Sequence, residues 1–204
     1  IFLARLLTPA DYGMVGMLAI FSLIAATLQE SGFTAALANK KEVSHRDYNA
    51  VFWFSVLTGC TLYLLLFFAS PLIASFYEIP ELTALARYSF LGFLISSFGV
   101  AQNAYLFRNL MVKQKSISLI VALLVSGCVG VTMAYFGFAY WGIATQSIVY
   151  IATINLCYLY FSPWRPTLNI DFSPLKGMFM FSSKLLLTNI FKHLNDHILT
   201  IILG

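Results

Sequence analysis

Positions 51–69 read VFWFSVLTGCTLYLLLFFA and hold no charged residue over a length that can cross a bilayer. A transmembrane helix needs about 20 consecutive, predominantly apolar residues. The segment 117–134 is uncharged as well. A soluble helical bundle would require polar faces repeating at the helical period, and short strands do not suit runs this long. Both segments therefore predict transmembrane helices.

The composition of the chain also favours a membrane environment. Hydrophobic residues make up 60% of the sequence and charged residues 10%, whereas a soluble domain carries about 25% charged residues. So few charges cannot cover a surface that faces water. A net charge of +4 could suggest a nucleic-acid partner in a soluble chain. The long apolar runs argue against that, and we expect no nucleic-acid partner.

The pattern along the chain predicts an all-α, polytopic transmembrane helix bundle. Proline, glycine and charged residues interrupt the apolar runs, for example in the expected turn at 8–13, at Pro71 and in the cluster 78–81. Both ends of the sequence lie in apolar segments, so we expect a piece of a longer protein. The expected spans are 1–7 (the end of a first helix), 14–38, 50–69, 82–105, 117–136 and 138–161, followed by a seventh segment at 177–204.

The distribution of basic residues predicts the orientation. The alternate connectors 39–48, 107–116 and 162–184 hold nine of the twelve Lys and Arg residues, and the connectors 8–13, 70–81 and 137–140 hold none. Cytoplasmic loops of membrane proteins are enriched in these residues. We therefore expect loops 39–48, 107–116 and 162–176 to be cytoplasmic.

Charged residues in or near the expected spans are the candidate functional residues. Such a side chain costs about 2.5–3.5 kcal/mol or more at the centre of a transmembrane helix. Arg5 and Arg87 either extend to lipid headgroups or face a cavity. Glu30 either faces a cavity or marks the end of a helix. The candidates of the seventh segment are Lys184, Lys192 and Asp196.

The seventh segment is interrupted repeatedly by polar residues. Lys192 and Asp196 are four residues apart, so they share a helical face, either as a structural ion pair or along a hydrated path. His193 and His197 have the same spacing, but no third ligand is evident and we predict no metal site. No phosphate-binding glycine loop, nucleophile elbow or zinc-protease motif occurs. We therefore expect no enzymatic activity and no cofactor.

Several short motifs, in their order and spacing, resemble the Wzx-type polysaccharide and O-antigen flippases, within the superfamily of multidrug, oligosaccharidyl-lipid and polysaccharide exporters. The segment LARLLTPADYG at 3–13 is similar to the family's opening motif. ESGFTAAL at 30–37 is similar to its acidic-x-Gly-hydrophobic segment, where Asp is more usual. Further matches are NAVFW at 49–53, PLIA at 71–74, SPWRP at 162–166 and NDHIL at 195–199 with the final Leu-Gly.

This resemblance implies a fold and an activity. Residues 1–176 would form the N-terminal six-helix lobe of a two-lobe flippase, and 177–204 the start of helix seven in the second lobe. The family moves undecaprenyl-pyrophosphate-linked oligosaccharides across the bacterial cytoplasmic (inner) membrane. The implied partners are that lipid-linked oligosaccharide, membrane lipids and other polysaccharide-assembly proteins.

The resemblance also suggests roles for the charged candidates. Arg5, Arg87, Lys184 and Lys192 would contact the pyrophosphate, and Glu30 and Asp196 would serve ion coupling or gating. Two alternatives stay open at this point. A multidrug exporter of the same superfamily would prefer acidic cavities, and a membrane-embedded glycan polymerase or transferase would need a large extracytoplasmic loop.

Overall fold

The computed structural model describes residues 9–30 and 33–178, together with Lys184 and Thr188. Every regular element in these ranges is a helix, which confirms the predicted all-α bundle. Residues 173–178 form a further short helical segment. The helices are α1 (Pro9–Glu30), α2 (Phe33–Asn39), α3 (His45–Phe76), α4 (Leu82–Ser97), α5 (Val100–Arg108), α6 (Val112–Tyr135) and α7 (Ala139–Phe161).

Several helices have the length and composition of membrane spans. Helices α3, α6 and α7 are each long and apolar enough to cross a bilayer. Helices α4 and α5 reach that criterion together, as a pair bent by 44°. The predicted span 82–105 is therefore present as a broken helix rather than a continuous one.

Helix α3 is longer than the predicted span 50–69 at both ends. At its start, the Asp47 carboxylate accepts a hydrogen bond from the Ser44 backbone N–H (2.8 Å), which caps the first turn. At its end, Pro71 lies inside the helix, so its expected role as a loop marker is wrong. Proline cannot donate to the carbonyl four residues earlier, that of Phe67. The Ser70 hydroxyl donates to that carbonyl instead (2.7 Å), and the helix continues.

The boundaries of the other helices also differ from the predicted spans. Helix α1 begins at Pro9, so the expected turn at 8–13 is wrong for residues 9–13. Helix α6 begins at Val112, which puts Lys113 in its first turn rather than in a loop. The reversal expected at Gly137 is confirmed, with φ at +79°.

Two hydrophobic cores lie towards opposite ends of α3. The first core joins α2, the start of α3, α5 and the segment after α7. Its buried residues include Phe33, Leu37, Tyr48, Val51, Ala101, Trp164 and Leu175. The second core joins α1, the end of α3, the start of α4 and the start of α7. Its buried residues include Leu18, Ile73, Leu82, Leu85, Phe90 and Ala144.

Candidate functional site

A cavity of about 530 Å³ lies between α1, α4 and α7 and extends to residues of α2 and α5. Ligand pockets typically enclose about 300–1,000 Å³, so the cavity is large enough for a small organic ligand. Seven polar residues of the described part of the chain lie in its otherwise apolar wall. These are Ser22, Gln29, Thr34, Ser89, Ser96, Asn103 and Ser147.

The spacing of the lining residues explains how three helices share one cavity. Residues three or four apart lie on one face of a helix. On α4 and α5 the lining positions Ser89, Phe93, Ser96, Val100 and Asn103 follow this spacing. The lining positions on α1 and α7 follow it as well. The helices therefore turn one partly polar stripe each toward a common space.

Two of these polar side chains, Gln29 and Ser96, form hydrogen bonds that join α1 to α4. Gln29 is 7% exposed, and its amide Nε2 donates to the Phe93 carbonyl (2.7 Å). The Ser96 hydroxyl donates to Oε1 of the same amide (2.8 Å). Buried polar groups are costly unless they are paired, so this arrangement stabilises the packing of α1 on α4.

Two polar atoms of the cavity wall are buried and unpaired. Among the described residues, neither Ser89 Oγ nor Asn103 Oδ1 has a hydrogen-bond partner. An unsatisfied buried polar atom costs about 1–3 kcal/mol, so such an atom needs an explanation. Both residues line the cavity, so a rotation of either side chain toward it would give its polar atom a partner in a bound ligand.

The cavity wall carries no ionisable side chain among the residues that the structure describes. Sequence reasoning missed this site, because it searched for charged residues within the spans. The signal that could have found it is the recurrence of Ser89, Ser96 and Asn103 at seven-residue intervals, which places neutral polar groups on one helical face. Hydroxyl and amide groups can exchange hydrogen bonds with a neutral, hydroxyl-rich ligand.

Among the charged candidates whose side chains the structure describes, Arg87 has side-chain contacts with a neighbouring helix. It lies on α4, but it is directed toward α3 and does not line the cavity. Its Nε donates to Ser70 Oγ (3.0 Å), and its guanidinium carbon lies 4.3 Å from the centre of the Phe67 ring. These contacts stabilise α3 beside Pro71. A substrate contact for Arg87 stays a prediction.

The other predicted site residues are not brought together by the described structure. Glu30 is the last residue of α1, and Lys184 is exposed. Arg5, Lys192 and Asp196 lie outside the described residues, as do His193 and His197. Within the described ranges, no three His, Cys, Asp or Glu side chains are grouped as a metal site would require.

The three basic connectors meet at one end of the bundle. Arg108, at the end of α5, donates to the backbone carbonyls of Leu37 (2.8 Å), Ala38 (3.0 Å), Lys40 (2.6 Å) and Lys41 (3.0 Å). These carbonyls lie at and beyond the end of α2, where a helix leaves its last carbonyls without partners. One guanidinium therefore closes α2 and joins the connector 39–44 to α5.

The segment that follows α7 is attached to the same end through α3. The Asn49 side chain accepts from the Thr167 N–H (2.9 Å), and Trp53 Nε1 donates to the Thr167 carbonyl (2.8 Å). Arg46 forms an ion pair with Asp171. Hydrogen bonds from Arg46 and Ser173 hold the pKa of the Asp171 carboxyl well below its usual range.

A family model described as "Polysaccharide biosynthesis protein" matches residues 2–204. The chain belongs to this family. No solved structure matches the chain at a significant level.

Curated relatives of the chain are named for polysaccharide assembly. Teichuronic acid biosynthesis protein TuaB of Bacillus subtilis is 26% identical over 186 residues, which cover 90% of this chain and 38% of that protein. Lipopolysaccharide biosynthesis protein WzxC of Escherichia coli is 25% identical, with 99% of this chain and 42% of that protein covered. Succinoglycan biosynthesis transport protein ExoT of Rhizobium meliloti is 26% identical, with 78% and 32% covered. The chain thus spans about two fifths or less of the length of these relatives.

Proposed function

We propose that this chain is part of a flippase that moves undecaprenyl-pyrophosphate-linked oligosaccharide across the bacterial cytoplasmic membrane for export of a surface polysaccharide. The observation that carries the proposal is the neutral polar cavity between apolar, membrane-spanning helices in a member of the polysaccharide biosynthesis family. The relatives named for lipopolysaccharide biosynthesis and succinoglycan transport also support a role in polysaccharide export.

The physical need for such a protein follows from the substrate. Sugars and a pyrophosphate cannot pass about 30 Å of hydrocarbon unaided, because removing their water without new hydrogen bonds is very costly. A cavity lined by hydroxyl and amide groups replaces part of that water, while the lipid chain stays in the bilayer. Alternating exposure of the cavity to the two sides would come from rocking of two lobes about the site.

In this proposal the chain acts by transport and makes no covalent change to the substrate. The connectors 39–48, 107–116 and 162–176 face the cytoplasm, as their basic residues favour. The partners are the lipid-linked oligosaccharide, membrane lipids and other polysaccharide-assembly proteins. The lack of a carboxylate among the described cavity residues argues against a multidrug exporter that binds cations there.

The test is complementation in cells that lack the parent gene. The full-length protein should restore surface polysaccharide, measured by glycan staining and by mass spectrometry of released sugar. Cells without the gene should accumulate the lipid-linked oligosaccharide on the cytoplasmic side. Normal surface polysaccharide in the deletion strain, with no accumulation, would contradict the proposal.

A further inference from the structure

We infer that the cavity between α1, α4 and α7 binds the uncharged sugar part of the lipid-linked substrate through Ser89 and Asn103, and that the pyrophosphate binds outside this cavity. The inference rests on the proposed function. It adds which chemical part of the substrate this region of the protein recognises.

The first argument is the charge of the cavity wall. A pyrophosphate carries several negative charges, and a buried anion requires cationic or strongly donating partners. No Lys, Arg or His lines the cavity in the described ranges. Arg87 lies two residues before Ser89, but its guanidinium forms a hydrogen bond with Ser70 and packs on the Phe67 ring, both on α3. The cavity therefore suits a neutral ligand.

The second argument is the chemistry of the unpaired atoms. Ser89 Oγ can donate and accept a hydrogen bond, and Asn103 Oδ1 accepts one. Sugar hydroxyl groups also donate and accept, so they can satisfy both atoms. Apolar residues of the same wall, such as Val15, Ile148 and Ile151, can contact the C–H faces of sugar rings. This combination of polar and apolar contacts matches a saccharide better than a lipid chain.

The third argument is the separation of the two contacts. Ser89 lies on α4 and Asn103 on α5, on either side of the 44° bend, at a separation on the order of 20 Å by helical rise along the two helices. That span suits a chain of several sugars rather than a single ring. Gln29 and Ser96 lie between Ser89 and Asn103 and are hydrogen-bonded to each other. We therefore assign Gln29 and Ser96 to positioning the wall, and Ser89 and Asn103 to ligand contact.

The experiment uses the full-length protein in lipid nanodiscs and two separate probes. The first probe is the cell's own repeat-unit oligosaccharide, released from its lipid by mild acid and free of phosphate. The second probe is inorganic pyrophosphate. Binding of each is measured by calorimetry for the wild type, Ser89→Ala and Asn103→Leu. The matched control is Ser55→Ala, which removes a buried and unpaired hydroxyl on α3 that does not line the cavity.

We expect Ser89→Ala and Asn103→Leu each to weaken binding of the free oligosaccharide about tenfold, the effect of one lost hydrogen bond. Ser55→Ala should bind like the wild type, and affinity for pyrophosphate should be the same in all four proteins. Because Ser89→Ala deletes a buried oxygen atom that has no partner, we expect its thermal unfolding at or above the wild-type temperature while binding is weakened.

Other outcomes separate this inference from the function on which it rests. Wild-type oligosaccharide binding in both cavity variants, in cells where the full-length protein restores export, would overturn the sugar site and leave the flippase intact. Loss of pyrophosphate binding in these variants would overturn it too. Failure of the wild-type protein to restore surface polysaccharide would overturn the proposed function, and this inference with it.

Discussion

The side chain of Asn155 on α7 lies directly over the α-carbon of Gly99, at the break between α4 and α5. Its Nδ2 donates to the Ile95 carbonyl (2.6 Å). A β-carbon added at position 99 would lie 1.9 Å from Asn155 Oδ1. The break in the helix frees backbone carbonyls, and in a membrane each must find a partner. The Ile95 carbonyl accepts from the Phe98 N–H (3.2 Å) and takes Asn155 as its second donor, and Gly99 gives the Asn155 side chain the space to approach.

We expect Gly99→Ala to destabilise the protein by about 0.5–1.5 kcal/mol, since the new methyl group forces the end of the Asn155 side chain away from the Ile95 carbonyl, which keeps its bond from Phe98. Thermal unfolding of the purified protein measures this. The control is a double-mutant cycle with Asn155→Ala, which removes the clash as well as the bond. The double variant should lose less than the sum of the single losses, and simple additivity would contradict the described contact.

Arg108 should be essential to the stability of the end formed by the three basic connectors. Arg108→Ala removes four hydrogen bonds to backbone carbonyls, and we expect a loss of about 1–3 kcal/mol after allowing for its partial exposure. Arg108→Lys keeps the charge but cannot reach the same set of carbonyls, so it should behave almost like the alanine variant.

A matched control for Arg108 is Lys113→Ala, which deletes an exposed charge from the first turn of α6. It should leave thermal unfolding within about 0.5 kcal/mol of the wild type. Equal losses in Lys113→Ala and Arg108→Ala would mean that net charge, rather than the bonds to carbonyls, stabilises this end.

Ser70 connects the proline in α3 to Arg87, and its removal should be costly for that reason. Ser70 is fully buried. Ser70→Ala leaves both the Phe67 carbonyl and the Arg87 Nε without this partner, so we expect about 1–3 kcal/mol of destabilisation in thermal unfolding. Pro71→Ala restores a backbone N–H that can reach the Phe67 carbonyl. Adding it to Ser70→Ala should recover part of the loss, and no recovery would argue against this account.

The ion pair between Arg46 and Asp171 predicts a pH dependence with a defined sign. The pKa of Asp171 is lowered in the folded protein, so the pair's contribution is present above the ordinary value of about 3.9 and is lost as the pH falls through the folded value. The difference in melting temperature between the wild type and Asp171→Asn should therefore be constant from pH 5 to 8 and shrink in acid. A difference that changes near neutral pH would contradict this assignment.

The predicted orientation can be tested with single cysteines in a variant that lacks Cys60, Cys128 and Cys157. Ser44→Cys in the basic connector should be protected from an impermeant thiol reagent in intact cells and should react after the membrane is opened. Glu81→Cys, at the opposite end of α3 and exposed, should react in intact cells. The reverse labelling pattern would show that the basic end faces outward.

The helical class of the fold and the approximate positions of the spans were predictable from the sequence. The apolar runs around 51–69 and 117–134 are long enough that only a membrane helix fits them. The boundaries were not predictable to the residue. Pro71 ends a helix in most settings, but here the Ser70 hydroxyl replaces the missing hydrogen bond, and that contact depends on local geometry.

The candidate site was much less accessible to sequence reasoning. Charged residues are the functional candidates that a membrane sequence offers most clearly, since their cost in lipid is high. Arg87 met that criterion, yet in the structure it contacts the proline-bearing helix. The polar groups of the cavity wall are instead serine, threonine and amide side chains, which carry no charge. Which of them are paired, as Gln29 is, or unpaired, as Ser89 is, depends on how three helices face each other.

The length of α3 has a consequence for how the protein sits in its membrane. Its 32 residues extend about 48 Å, well beyond a hydrocarbon layer of about 30 Å. Its neighbours α6 and α7, with 24 and 23 residues, match that thickness more closely. Helix α3 must therefore tilt steeply or project into the headgroup region. A change in bilayer thickness should therefore change the tilt of α3 more than the tilt of α6 and α7. Lipid chain length would then alter how these helices pack against each other.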